Sequence, residues 1–199
     1  MEKCGKVKND WEEKCEENIN LYSYLYCFDL KLSSEINSQS TSKLKESKVC
    51  GIKKFVKQEQ NNCWAASVAT IVNYKKNKNL SAGDVNMAMN TSWYVGQDVT
   101  VVKNALAKYG LTYKIKTSQL SWQKVRADIN NNRPFCMGFV AEGATPHMVT
   151  GYGYSIDNDD NKYIAIWDSN GFYRLLTYKS KKSTLTMYGY TYKWNETVY

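Results

Sequence analysis

A cysteine and a histidine are the residues of this sequence best suited to nucleophilic chemistry. Cys63 begins a predicted helix over residues 63–74, and Asn61 or Asn62 is placed to act as its N-cap. A thiol at the N-terminal end of a helix lies at the positive end of the helix dipole, which favours the thiolate. His147 is the only histidine in the chain, so any Cys–His pair must include it.

A carboxylate at the end of a later strand offers a third member. Residues 148–154 have the composition of a strand, and so do residues 163–168, which end at Asp168. A carboxylate there can reach back to the imidazole. Cysteine, histidine and aspartate are then nucleophile, base and orienting group, as acyl transfer requires. Asn170 also follows this strand and is the alternative third member.

Each of these residues has a simpler interpretation when it is taken alone. A lone cysteine at a helix start is more often buried core, and a lone histidine more often a core histidine with satisfied hydrogen bonds. The combination of both with Asp168 and a nearby glutamine favours the catalytic interpretation.

Composition predicts one globular domain and excludes several classes of protein. The chain has 199 residues, of which 43% are hydrophobic and 14% aromatic, and this is the composition of a folded chain. No apolar run approaches the roughly 20 residues of a membrane-spanning helix. The net charge of +8 comes from scattered lysines, so we expect a solvated surface and no nucleic-acid partner. We expect a monomer that acts on a peptide or protein substrate.

The cysteines do not predict a metal site, and we expect no metal or other cofactor. None of the six forms a close pair, and a single histidine cannot complete a Cys2His2 set. Cys136 lies in an apolar run and is predicted to be a core residue. The four cysteines that precede Cys63 could form two disulfides in a secreted protein, in any of three connectivities, or be free thiols in the cytosol. These four are Cys4, Cys15, Cys27 and Cys50.

The N-terminal quarter differs in composition from the rest. Residues 1–30 carry a helical apolar stripe, and residues 33–48 are rich in Ser, Lys, Asn and Gln, which is typical of a linker or exposed loop. We therefore predict an N-terminal segment over residues 1–48 and a catalytic domain over residues 49–199. The segment is either a pro-segment or regulatory arm, or an ordinary helical decoration. The chain begins without an apolar signal core. We expect a secreted bacterial protein whose signal is not part of this sequence, and a cytosolic protein is the alternative.

The remaining pattern predicts helices first and antiparallel strands afterwards, which is an α+β fold. After a short strand at 49–56 and the helix of Cys63, helices are predicted at 81–90, 98–109 and 121–130. Strands are predicted at 111–116, 135–141, 147–154, 162–168, 172–178 and 184–194, with an acidic hairpin turn at 157–161.

The order of these motifs resembles that of the papain-like cysteine peptidases. A glutamine, then Cys-Trp-Ala-Ala-Ser on a helix, then His-Met-Val-x-Gly-Tyr, then Ile-Trp-Asp are similar to their compact bacterial branch. That branch includes staphopain-like and AvrRpt2-like enzymes and bacteriocin-leader peptidase domains. The likeness covers about residues 50–195. It implies a helical lobe that carries the cysteine helix and an antiparallel sheet lobe that carries the histidine and the aspartate.

The resemblance also implies a role for each matching residue. Cys63 corresponds to the nucleophile, His147 to the base that later protonates the leaving amine, and Asp168 to the orienting residue. A glutamine before the cysteine helps to form the oxyanion hole in this family. Gln58 is the best match and Gln60 is its rival, while the backbone amide of Cys63 would be the second oxyanion donor.

The expected activity is that of a cysteine endopeptidase. The alternatives are a Cys–His amidase or acyltransferase of the same fold, a pseudoenzyme that binds peptides without cleaving them, or a binding or toxin-delivery role carried mainly by residues 1–48. No residue of the sequence identifies the substrate.

Overall fold

The computed structural model describes residues 44–199 of the chain. The helix predicted over residues 1–30 and most of the loop predicted over 33–48 lie outside this range. The helices of the described part are α1 (Cys63–Lys76), α2 (Ala82–Met89), α3 (Val99–Lys108) and α4 (Trp122–Asn130). Its strands are β1 (Leu44–Val49), β2 (Ile115–Lys116), β3 (Phe135–Val140), β4 (His147–Asp157), β5 (Lys162–Asp168), β6 (Phe172–Thr177), β7 (Thr184–Met187) and β8 (Tyr190–Val198).

The strands form one antiparallel sheet in the order β2-β8-β3-β4-β5-β6, with β1 added to β4 and β7 added to β8. Helices α1, α2 and α3 contact one another, and α1 also packs against β3 and β4. The predicted α+β fold, with a helical lobe and a sheet lobe, is therefore confirmed. The cysteine comes from the first lobe, and the histidine and aspartate come from the second.

Helix α1 is the centre of the core. Every residue from Cys63 to Asn73 is buried, so the helix is covered on all sides and not only along the large side chains of Trp64, Val68 and Ile71. The alanines between these larger side chains let neighbouring elements approach the helix closely. A helix buried all round is held in place by its neighbours, which suits an element that must position a reactive group.

The chain before α1 departs from the prediction. Residues 44–48, predicted as exposed loop, belong to β1, which pairs with β4 from the Leu44–Asp157 pair to the Val49–Gly153 pair. The strand predicted at 49–56 does not continue past Val49. The amides of Cys50 and Ile52 still donate to backbone carbonyls. Val56 instead bonds to side chains: its amide donates to Thr70 Oγ1 at 3.0 Å, and its carbonyl accepts from the Trp167 indole at 2.9 Å.

The ends of the other helices are capped by side chains or followed by a glycine. Ser81 and Asp84 form a full capping box at the start of α2. Asp98 caps α3 and Ser121 caps α4 through their side-chain oxygens. Gly110 follows α3 with φ of 73°, the left-handed conformation expected of a glycine that ends a helix.

The last predicted strand is a hairpin. The run at 184–194 breaks at Tyr188 and Gly189, both with positive φ, and so separates β7 from β8. The strand predicted at 111–116 is also shorter than expected, because only Ile115 and Lys116 pair with β8. The remaining strands of the sheet agree with the prediction to within a few residues.

Two cysteines of the described part belong to the core. Cys136 is fully buried on β3, as predicted, and burial raises the pKa of its thiol. Cys50 is a free buried thiol whose pKa is raised to about 12 by burial. The disulfide alternative stays a prediction, since it depends on cysteines outside the described residues. Cys4, Cys15 and Cys27 lie outside the described residues. Within residues 44–199, no helix has the length and apolarity needed to cross a bilayer.

Candidate active site

Cys63 lies where the helical lobe meets the sheet lobe. It is the first residue of α1, and its Sγ accepts the backbone N–H of Met148, on β4, at 3.4 Å. Only 9% of Cys63 is exposed. A backbone donor and a helix N-terminus both face this sulfur, and both favour a negative charge on it.

Asn62, one of the two predicted N-caps, uses its side chain for a different purpose. Asn62 occupies the N-cap position and its carbonyl accepts the amide of Ala66 at 3.0 Å, but its side chain makes no capping bond to α1. The side-chain oxygen turns back and accepts the amides of Glu59 at 3.0 Å and Gln60 at 3.3 Å. Asn62 therefore holds the loop before Cys63, and its side chain takes none of the first amides of α1.

The side chain of Asn62 is itself bound by a second buried asparagine, Asn86. Asn62 donates through Nδ2 to Oδ1 of Asn86, on α2, at 3.0 Å. Asn86 in turn donates to the Thr91 hydroxyl and the Ser92 carbonyl, each at 3.1 Å. Both asparagines are fully buried. The loop that leads into Cys63 is thus fastened to α2 and to the chain that follows it.

His147 bridges the sulfur and the carboxylate. It is the first residue of β4, and its Nε2 lies 2.8 Å from Oδ1 of Asp168, at the end of the neighbouring β5. This bond leaves Nδ1 as the ring atom available to Cys63. Burial lowers the pKa of His147, but interactions with Asp168 and Cys63 outweigh burial and raise it to about 9. The imidazole is therefore positively charged at neutral pH.

Asp168 is fully buried and each of its oxygens has two donors. Oδ1 accepts from His147 and from the amide of Asn170 at 3.1 Å. Oδ2 accepts from Arg174 Nε at 2.8 Å and from the Tyr188 hydroxyl at 2.6 Å. Burial raises the pKa of Asp168, but hydrogen bonds from His147 and Tyr188 outweigh burial and hold this pKa well below its usual range. The carboxylate is ionised and cannot rotate without losing partners.

Gln58 is fixed by the residue that follows Asp168. Its backbone amide donates to the Ser169 carbonyl at 2.8 Å, and its Oε1 accepts the Ser169 hydroxyl at 2.9 Å. Its Nε2 donates to the Gln60 carbonyl at 2.8 Å. A carbonyl can only accept, so Nε2 must face Gln60 and the orientation of the amide is settled by its partners. The second proton of Nε2 has no partner among these contacts.

Gln60 and Asn170, the alternatives to Gln58 and Asp168, make different contacts from those two residues. Gln60 is exposed, and it supports Gln58 through its backbone carbonyl. The side chain of Asn170 donates to the Tyr188 hydroxyl at 2.9 Å, while the carboxylate of Asp168 takes the place on His147. The structure thus brings Cys63, His147 and Asp168 together, with Gln58 attached beside Asp168.

The sequence of this chain is similar to that of a known protein family. The family described as papain-like cysteine protease AvrRpt2 matches residues 43–180. The chain belongs to this family. No curated protein matches the chain. The match begins earlier and ends earlier than the range of 50–195 predicted from the motifs, and it supports cysteine peptidase activity in a papain-like protein of the bacterial branch.

Three residues of this papain-like protease site were not found by sequence reasoning. Ser169, Arg174 and Tyr188 reach the site from the end of β5, from β6 and from the turn between β7 and β8. Ser169 directly follows Asp168, and Tyr188 precedes a glycine inside a strand-like run, so each carried a weak signal. Arg174 carried none, because an arginine on a strand is ordinarily a surface residue.

The acidic and metal-binding side chains of the described part of the chain can be examined for a metal centre. Within residues 44–199, no group of three or more His, Cys, Asp or Glu side chains is arranged to hold an ion. The acidic turn at 157–161 is the predicted hairpin turn, in which Asp157 accepts the amides of Asp159 and Asn161. The prediction that no cofactor takes part stays a prediction.

Proposed function

We propose that this papain-like protease is an endopeptidase that cleaves peptide bonds through an acyl-thioester on Cys63. The observation that carries the proposal is the position of His147, which interacts with Cys63 on one side and with the buried Asp168 on the other. This is the arrangement that an activated thiol and a proton-transferring imidazole require.

Acylation begins from a thiolate–imidazolium pair. Cys63 Sγ attacks the carbonyl carbon of the scissile bond, and the carbonyl oxygen becomes negatively charged. The tetrahedral intermediate then collapses as the His147 imidazolium gives its proton to the leaving nitrogen, which breaks the C–N bond. Asp168 remains ionised throughout and keeps Nε2 occupied, so that Nδ1 faces the reaction.

The proposal assigns two donors to the oxyanion. The free proton of Gln58 Nε2 is one, and the backbone amide of Cys63, at the uncapped start of α1, is the other. Donors of this kind lower the barrier by about 3–4 kcal/mol. The double attachment of Gln58 to Ser169 supports this role, because a preorganised donor does not have to move when the charge appears.

Deacylation reverses the proton transfer. The neutral imidazole of His147 takes a proton from water as the oxygen attacks the thioester carbon. The C–S bond then breaks, the carboxylic product leaves, and Cys63 returns as the thiolate beside an imidazolium. No further reactant is needed.

Three biological properties belong to the same proposal. We expect a secreted bacterial enzyme, a monomer, and a segment over residues 1–48 that acts as a pro-segment or regulatory arm. The acidic residues clustered at 10–17 distinguish this segment from the basic remainder of the chain.

The test is cleavage of a peptide library by the wild type and by Cys63→Ala, with Cys50→Ala as the control that removes a buried thiol outside the site. We expect cleavage by the wild type and Cys50→Ala and none by Cys63→Ala. Full activity of Cys63→Ala would end the proposal. Cleavage of muropeptides but of no peptide favours the amidase alternative. Slow labelling of Cys63 by iodoacetamide at neutral pH, with no turnover, favours the pseudoenzyme.

A further inference from the structure

The turn between β7 and β8 holds a tyrosine in an unusual backbone conformation. Met187 pairs with Tyr190, so Tyr188 and Gly189 form a two-residue hairpin loop, with φ of 53° and 80°. Asn-Gly is the ordinary sequence for a loop in which both residues have positive φ. A bulky residue there is strained, and such residues persist when their surroundings hold them and cluster at functional sites.

Two partners of the Tyr188 hydroxyl, Asn170 and Asp168, fix the direction of its hydrogen bonds. Asn170 Nδ2 can only donate, so the hydroxyl accepts from it at 2.9 Å. The phenolic proton is then directed to the ionised Oδ2 of Asp168 at 2.6 Å. Burial and the bond to Asp168 raise the pKa of Tyr188, so it keeps this proton at neutral pH.

The ring of Tyr188 also borders the site. It meets the imidazole of His147 edge to face, with ring centroids 6.3 Å apart and planes at 86°. The Arg174 guanidinium lies 5.4 Å from the same ring. The side chain is half exposed, at 50%, so core packing does not account for its strained backbone.

We propose that Tyr188 is a positioning residue for the proposed peptidase reaction. Together with Arg174 it clamps Oδ2 of Asp168, so that Oδ1 stays on His147. This rests on the proposed function of the Cys63 site. The family match ends at residue 180, so it includes Arg174 and does not reach Tyr188.

The first test is Tyr188→Phe, which keeps the ring and removes the hydroxyl. We expect kcat/KM for a cleaved peptide to fall about tenfold, since a hydrogen bond to a charged group is lost. Tyr190→Phe removes an exposed hydroxyl from the same hairpin and is expected to stay within about twofold of the wild type. Equal effects of the two substitutions would overturn the proposal.

The second test asks whether Tyr188 acts through Asp168. In an Asp168→Ala background, Tyr188→Phe is expected to have no further effect, because the carboxylate that it positions is gone. A loss of the same size in both backgrounds would overturn the proposal, since Tyr188 would then act on the substrate directly.

A third variant covers the case in which Tyr188→Phe folds poorly. Asn is at home in a left-handed turn, and its shorter side chain cannot reach Asp168. Tyr188→Asn is expected to form the hairpin and to lose activity as Tyr188→Phe does. Wild-type kcat/KM in a folded Tyr188→Asn protein contradicts the proposal.

Labelling of Cys63 separates the two proposals. The rate of alkylation by iodoacetamide, measured by peptide mapping, depends on the Cys–His pair but not on cleavage. If the wild type cleaves nothing, yet Tyr188→Phe slows labelling and Tyr190→Phe does not, the peptidase proposal fails and the role of Tyr188 stands. If the wild type cleaves peptides and Tyr188→Phe changes neither rate, only the role of Tyr188 fails.

Discussion

Gln58 and Ser169 are joined twice, once through the backbone at 2.8 Å and once through their side chains at 2.9 Å. Ser169 directly follows Asp168 at the end of β5. Of these two neighbouring residues, Asp168 provides the orienting carboxylate and Ser169 binds the proposed oxyanion donor. A displacement of this end would affect both functions at once.

The first prediction concerns Gln58. We expect Gln58→Ala to lower kcat by roughly 10²–10³, because one donor to the oxyanion is removed. KM is expected to change little, since the donor acts in the transition state. Steady-state kinetics on one cleaved peptide are the measurement. The matched variant Gln60→Ala keeps the backbone carbonyl that Gln58 uses and is expected to behave as the wild type. If Gln60→Ala is the damaging change, the assignment must be reversed.

The second prediction concerns the pair of Asp168 and Arg174. Asp168→Asn presents an N–H₂ group either to Arg174, which can only donate, or to the Nε2–H of His147. We therefore expect Asp168→Asn to reduce kcat/KM and to lower the free energy of unfolding by about 3 kcal/mol.

Replacing both members of this pair provides the control. Asp168→Asn combined with Arg174→Leu is expected to recover part of the lost stability, because the Arg174 guanidinium that lost its carboxylate partner is then absent. Urea unfolding of the wild type, both single variants and the double variant measures the recovery. Additive losses would mean that the two side chains do not interact in this way.

The third prediction concerns pH. The pKa of His147 in the folded protein is raised to about 9, above the ordinary value of about 6.5 for a histidine, so folding favours the protonated imidazole. The resulting stability is fully present below the unfolded pKa, and is lost as the pH rises through the folded pKa. We expect the difference in Tm between the wild type and His147→Gln to shrink over this interval.

Two measurements check this titration directly. The chain has a single histidine, so its imidazole gives one unambiguous set of NMR signals, whose midpoint is expected near pH 9. Loss of the imidazolium should also produce an alkaline fall in kcat/KM over the same range. An imidazole that titrates near 6.5 would contradict the ion pair with Asp168.

The fourth prediction concerns the buried Asn62. We expect Asn62→Ala to lower the free energy of unfolding by about 1–3 kcal/mol, because the amides of Glu59 and Gln60 lose their acceptor and Asn86 loses its donor. Activity should fall as well, because this loop carries Gln58. The neighbouring Asn61 is exposed, so Asn61→Ala is expected to change stability by less than about 0.5 kcal/mol. Thermal or urea unfolding of both variants provides the comparison.

The fifth prediction concerns processing of the N-terminal segment. Strand β1 pairs with β4 along residues 44–49, so a cut inside β1 would remove a strand from the sheet. If the segment is a pro-segment, the N-terminus of the active form is therefore expected before Leu44. N-terminal sequencing of the active protein is the measurement, and an uncut chain with full activity would exclude a pro-segment.

Sequence reasoning succeeded where the signal was local. The helices predicted at 81–90, 98–109 and 121–130 agree with α2, α3 and α4 to within one or two residues. It failed where a local pattern was ambiguous. Asn62 has the right type and position for an N-cap, but its side chain is taken by the loop behind it. The run at 184–194 is strand-like throughout, and the turn at Tyr188 is marked only by a glycine.

The sequence by itself determined the reactive groups, because one histidine, one cysteine at a helix start and one aspartate at a strand end left little choice. Only the tertiary structure decided how these groups are held. Ser169 and Gln58 are 111 residues apart in the sequence, and Asn62 and Asn86 are 24 apart. Tyr188 contacts Asp168 from the turn between β7 and β8. Such bonds depend on which elements become neighbours and on where each side chain points. Local periodicity contains neither, because it reports only which face of an element is apolar.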